Sequence, residues 1–165
     1  MATTYELIAK NVLGSTSATV TFTSIPQTFD DLCLLISPRS SHGGSDTYLY
    51  MKLNGNNTTS NPRYLVGSGS VVSSGTALAN FMGWINASAY SGIWSSVEIY
   101  IPNYAGSANK SVSATCVSER PTTTAFMSAH AGIYGSSAVT SIEFSANDGS
   151  FVAGSSFYLY GITKA

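Results

Sequence analysis

The 165 residues include eight acidic and seven basic side chains, for a net charge of −1, and only 9% are charged, against about 25% in an ordinary soluble protein. The bases are scattered singly, so no track of phosphates can be neutralised and nucleic acid is excluded as a natural partner. No window approaches the ~18 uninterrupted apolar residues of a spanning helix, and MATTYELIAK lacks the basic and then apolar order of a signal peptide, so the reading is no membrane partner and synthesis in a cytoplasm.

A chain of this length fits one domain, residues 1–165, burying roughly two-thirds of its unfolded surface without metals or cross-links. With so few charges, the hydroxyls of 28 Ser and 17 Thr must wet the outside. Hydrophobic residues make up 44% of the chain, enough apolar area to offset ordering entropy and to exclude a disordered segment. Weak charge repulsion between copies also suits a protein packed into an assembly.

The hydrophobic period is two almost everywhere. Tyr5 to Val12 is the first strand candidate. Val20 and Phe22 alternate with Thr19, Thr21 and Thr23, a strand with one apolar and one hydroxyl face. Leu32 to Ile36 is continuously apolar and predicts a central strand, buried on both faces or at a subunit contact. Tyr48 to Leu53 follows, stopped by Asn54-Gly55-Asn56-Asn57, and then Tyr64 to Val66, stopped by Gly67 and Gly69. Gly67 to Ser74 reads as a mobile loop, and Ala79 to Trp94, with Phe81, Trp84, Tyr90 and Trp94 spaced by Gly and Ala, as a long loop folding over the edge of the sheets. Val97 to Ile101, Val112 to Val117, Ala125 to Ile133, Val139 to Phe144 and Phe157 to Ile162 complete the set, with Asn147-Asp148-Gly149 as a turn. About eight to ten short strands without a helical block predict an all-β, antiparallel, jelly-roll-like sandwich. Strand candidates near both termini tie the ends into the sheets.

Chemistry is sparse. His42 in Ser40-Ser41-His42-Gly43-Gly44 reads as a solvated loop residue, and His130 as a hydrogen-bonded strand histidine. Glu98 and Glu143 alternate with apolar residues, as outward charges on half-wet strands do, so no acid pair is assigned to glycoside hydrolysis. Gly67-Ser68-Gly69-Ser70 lacks the following helix of a nucleophile elbow, and Gly43-Gly44 lacks the Lys and helix of a phosphate cradle. Asn54, Asn56, Asn57 and Asp148 supply too few carboxylates to hold calcium tightly. Cys33 and Cys116 sit in apolar runs and read as reduced core residues. No catalytic residue, metal or cofactor is assigned, and the chain is read as not an enzyme. Aromatic surface remains: Tyr48, Tyr50, Trp84, Trp94, Tyr100, Tyr158 and Tyr160 are the interface candidates. The strand tyrosines either cover a second layer within the domain or pack between copies, where Tyr is enriched.

Tyr5-Glu6-Leu7-Ile8-Ala9 leading to Ser24-Ile25-Pro26-Gln27-Thr28-Phe29-Asp30-Asp31-Leu32, then Glu98-Ile99-Tyr100-Ile101-Pro102-Asn103-Tyr104, then Phe151 to Ile162 resemble small structural proteins and fibre-end domains of tailed phages, such as those of cyanobacteria. The resemblance implies a jelly roll located in the virion and associating as a homotrimer. Its partners would be itself and a capsid protein, as decoration or cement, or a tail protein, as a fibre end recognising a host surface glycan. It carries over no catalytic residue. The lack of a stalk-forming segment favours the capsid, and the lack of a long N-terminal arm favours the tail.

Overall fold

The computed structural model describes residues 4–56, 60–88, 91–120 and 124–164. Among them are twelve strands: β1 (Tyr5–Val12), β2 (Thr19–Phe22), β3 (Asp31–Ser37), β4 (Asp46–Leu53), β5 (Ser60–Ser68), β6 (Val71–Thr76), β7 (Phe81–Asn86), β8 (Ser96–Ile101), β9 (Lys110–Arg120), β10 (Thr124–Tyr134), β11 (Ile142–Ala146) and β12 (Ser156–Ile162). An eight-stranded sheet runs β1-β12-β3-β8-β9-β10-β5-β6, and a four-stranded sheet runs β2-β11-β4-β7. All pairings are antiparallel.

Setting aside two hairpins reveals the connection rule. β1 to β4 alternate between the sheets, β7 pairs beside β4 in the small sheet, and β8, β11 and β12 alternate again, placing β1-β12-β3-β8 over β2-β11-β4-β7. That is the order produced by two interlocked Greek keys, a jelly roll. The hairpins β5–β6, between β4 and β7, and β9–β10, between β8 and β11, both join the large sheet beyond β8. They form a four-stranded extension of the body.

The core lies where the alternating faces meet. β4 alternates half-buried and buried along its whole length, and Leu49 and Met51 point inward against Leu32, Leu34, Ile99 and Leu159. Phe157 stacks near Phe144 at 5.7 Å and Phe151 at 5.0 Å between ring centroids. Each such side chain contributes roughly 1.5–3 kcal/mol by leaving water. β1 pairs with β12 from Tyr5↔Ile162 to Val12↔Ser156, so both ends are held in the sheet. The turn after β4 uses Asn54 (φ 54°) and Gly55 (φ 72°), a pair suited to two consecutive left-handed positions.

Two predicted loops are strands. Gly67 to Ser74, expected to be mobile, forms the end of β5, a tight turn and the start of β6. The Val71-Val72-Ser73-Ser74 run lacks a clean alternation because neither of its faces is fully buried. Within Ala79 to Trp94, Phe81–Asn86 is β7, paired with β4. A shift in register between Leu49 and Tyr50 breaks the period of two that marks a strand. Gly83 sits there at φ 150°, and a Cβ on it would lie 2.7 Å from Cys116 Cβ, so only glycine lets β9 approach. These two strands bring the total from ten to twelve.

Candidate functional site

The pairing registers assign the outward-facing side chains of the large sheet. One rank runs Leu7, Tyr160, Cys33, Tyr100, Ser113, Ala131, Arg63, Thr76. The next runs Lys10, Tyr158, Leu35, Glu98, Thr115, Ala129, Leu65, Ser74. A third places Val117, Met127, Gly67 and Val72 in line across the extension. Three of the interface candidates, Tyr100, Tyr158 and Tyr160, thus share one face and one end of it. The other end is aliphatic: Leu65 is 53% exposed, Met127 55% and Val72 72%. A shallow apolar groove lined by Leu65, Val66, Gly67, Val72, Met127 and Ala129 follows this end.

Charges on these ranks are confined to Lys10, Glu98 and Arg63, and the Arg63 guanidinium donates to Thr76 Oγ1. Eight strands about 4.8 Å apart and roughly 25 Å of strand length give a face of roughly 800 Å², the size one partner contributes to a standard protein interface.

Tyr48, Tyr50 and Trp84 lie elsewhere. They project from the side of the small sheet opposite Leu49 and Met51, and the extension partly covers them. Trp84 meets Tyr48, Phe81, Tyr64 and Phe126 in edge contacts with centroids 4.5–5.8 Å apart. These rings form a second layer within the domain, one of the two readings given to the tyrosines. Trp94 lies in the loop before β8, 37% exposed, with the Arg39 guanidinium 5.3 Å from its ring centroid. Tyr90 lies outside the described residues.

Asp31 is buried, accepting hydrogen bonds from Tyr100 Oη (2.5 Å), the Asn103 amide (2.8 Å) and Lys164 Nζ (3.1 Å). Burial raises its pKa, but these donors outweigh burial and hold the carboxyl below its ordinary value. The hydrogen bond to Asp31, with burial, pushes the Tyr100 hydroxyl up to about 12. This cluster staples the β12 end to β3 and β8. All three of these hydrogen bonds come from the protein itself.

Lys110, unremarked in the sequence, is 1% exposed, and its ammonium donates to the carbonyls of Gly106 (2.6 Å), Ala108 (2.5 Å) and Ser136 (3.2 Å). It closes the loops at the β9–β10 end, and burial lowers its pKa. Glu143 pairs with Lys52 across β11 and β4 at 2.7 Å, while Glu98 is exposed.

Both cysteines are free and buried, but only Cys116 belongs to the core cluster. Cys33 lies on the outer face between Tyr100 and Tyr160, where burial and the nearby Glu98 push its thiol up to about 11. Burial pushes the Cys116 thiol up to about 12, and its Sγ donates to the Trp84 carbonyl at 2.7 Å. Neither is poised as a thiolate nucleophile.

His130 departs from expectation. It is 3% exposed and makes no hydrogen bond at either ring nitrogen, because the inward positions around it are filled by rings. His42 is half-buried in the loop before β4, and its carbonyl accepts from the Ser88 amide and hydroxyl. Among the described residues, no group of three or more His, Cys, Asp or Glu side chains is placed to hold a metal ion.

A pocket of about 350 Å³, lined by Asp46, Thr47, Tyr48, Trp84, Asn147 and Asp148, opens where β4 and β7 meet the turn after β11. The sequence could not bring these residues together, because the turn Asn147-Asp148-Gly149 reaches them only through β11–β4 pairing. No family model matches the chain, and no curated protein matches it in sequence. Its class is defined by architecture alone, an all-β sandwich with jelly-roll connections.

Proposed function

We propose that the chain is a non-catalytic structural subunit of a phage particle, a decoration or cement protein. In this reading it binds the assembled shell through the outer face of its large sheet and associates with copies of itself. The supporting observation is that face: about the area of a standard interface, its charges single and scattered, tyrosine-bearing at one end and aliphatic at the other. Exposed apolar area that is contiguous marks contact surfaces in soluble proteins, and the resemblance at Ser24 to Leu32 and Phe151 to Ile162 supports the phage setting. A protein that binds the shell but not its dissociated subunits stabilises the shell by mass action, and a homotrimer would meet threefold positions with identical contacts.

The test is co-sedimentation with mature capsids stripped of this protein, together with light scattering of the free protein. The expectation is capsid binding, a raised capsid melting temperature, and a trimer in solution. Leu65→Asp combined with Met127→Asp should abolish binding with the fold intact. A stable monomer at high concentration that ignores capsids would overturn the reading.

The pocket at Asp46, Tyr48, Trp84 and Asp148 favours a second reading, a fibre-end module recognising a host surface glycan with carboxylates and amides beside ring edges. Binding to host cells and to their polysaccharide, without capsid binding, would select it. Release of sugar from that polysaccharide would instead indicate a hydrolase.

A further inference from the structure

His130 has no role in either reading. It projects from β10 toward β7, with centroids 4.5 Å from Phe81, 5.5 Å from Trp84 and 6.4 Å from Tyr64 on β5. Both nitrogens are buried without a hydrogen-bond partner. Leaving a polar ring so placed costs stability, and adding a proton there would cost far more, since a lone buried charge has neither water nor a counter-ion.

Among the described residues, the surroundings offer no such counter-ion. β7 contributes Phe81 and Trp84, neither titratable, and β5 contributes the Tyr64 phenol. β9 brings the Cys116 thiol to the same spot beside Gly83, whose built Cβ would lie 3.9 Å from His130 Cδ2. β4 supplies Tyr48 only beyond Phe81, at 4.8 Å between centroids. Arg63 lies on the opposite face of β5, in the outer rank, and β10 itself carries no charged residue.

The ring also occupies a joint. β7 is the edge of the small sheet, and the polar contacts that fasten the extension to it among the described residues include Cys116 Sγ to the Trp84 carbonyl (2.7 Å), Asn86 Nδ2 to the Glu119 carbonyl (2.9 Å), and the Glu119 amide to Asn86 Oδ1 (3.3 Å). Ser118, on the same inward side, has a buried hydroxyl without a partner, and the Ser128 hydroxyl lies against the Cys116 thiol. The seam is held mainly by ring packing. We infer that neutral His130 is an acid-sensitive latch, and that protonating it releases the β5–β6–β9–β10 extension from β7 while the jelly-roll body stays folded.

The sign follows from the two states. Burial pulls the ring down to about 4 in the closed protein, against about 6.5 when it is in water. The opened state therefore takes up the proton first, and the closed joint loses stability as pH falls from about 6.5 to about 4.

The test uses the full chain with Trp94→Phe, leaving Trp84 as the single indole. Expected on acidification are a red shift of Trp84 emission and faster amide exchange in β7 and β10, with β3 and β12 still protected. His130→Phe should lower the midpoint of this transition by about one pH unit or more, and His42→Gln should leave it in place. Titrating the His130 ring by NMR in the unsubstituted protein needs no stable variant and should put it well below the ordinary imidazole value of about 6.5. A His130 ring titrating near 6.5 without a change at Trp84 would sink the latch. So would an unchanged midpoint in His130→Phe, or protection lost together in β3 and β10.

Discussion

The jelly-roll body and the four-stranded extension are built from the same kinds of residue but bury them differently. In the body, inward positions such as Leu34, Leu49, Ile99, Phe144 and Leu159 are fully enclosed between two sheets. In the extension, β5 and β6 are at least partly open on both faces, and β10 rests on the outer side of β7 at His130, while Tyr134 at its end and Val112 and Ala114 on β9 reach the core. Enclosure between layers sets local stability, since each apolar group contributes in proportion to the area withdrawn from water. The body should therefore hold the global stability, and the extension should open at lower cost.

The largest expected effect tests that contrast directly. Phe157→Ala removes a fully buried ring from the centre of the body and should cost about 3–5 kcal/mol in urea unfolding. Leu65→Ala on the extension, already half in water, should cost about 0.5 kcal/mol or less. Comparable losses at the two sites would erase the distinction between the regions.

Next is the loop closure at Lys110. Lys110→Met keeps the length of the stem but leaves the Gly106, Ala108 and Ser136 carbonyls without their donor. Each orphaned buried acceptor costs about 1–3 kcal/mol. A loss of about 2–4 kcal/mol is expected, because water can reach part of the site.

The Asp31 staple should give a smaller effect with its own pH signature. Its carboxyl is held below the ordinary value, so its contribution is complete above the unfolded carboxyl pKa of about 3.9 and fades as pH falls below that. Asp31→Asn should lower stability by about 1–3 kcal/mol at pH 7 and flatten the acid limb of a stability–pH curve. The window lies below that of His130, so urea midpoints measured from pH 7 to pH 3 separate the two. A flat limb in the parent protein would show that the hydrogen bonds do not outweigh burial.

What could be read from the sequence follows the same division. Body strands such as Val20 to Phe22 and Val97 to Ile101 announce themselves because one face is dry and the other wet, so the period of two is written into the residues. β6 carries no such record, since both its faces meet water, and β7 loses its period at the bulge where Gly83 meets Cys116. Tyr100, Tyr158 and Tyr160 were recognisable as outward aromatics, but their alignment in adjacent ranks depends on the pairing of β12, β3 and β8, strands far apart in the chain. His130 was misjudged for the same reason: its polarity predicted a partner, and its neighbours Phe81 and Trp84 come from a segment read as loop. Long-range pairing, not local pattern, decides what surrounds a side chain.

The smallest expected effect on folding carries the most about use. Val72 sits on the open edge strand and is 72% exposed, so Val72→Lys should change stability by no more than about 0.5 kcal/mol. An edge without charge is open to further pairing, and a lysine there is the usual means of blocking it. If the aliphatic end of the large sheet is a contact surface, the same substitution should shift the oligomer toward monomer in light scattering and weaken co-sedimentation with capsids. If instead the extension only covers Trp84 and its neighbours, Val72→Lys should change neither. A substitution nearly silent in unfolding but loud in association would assign the extension to binding and the body to stability.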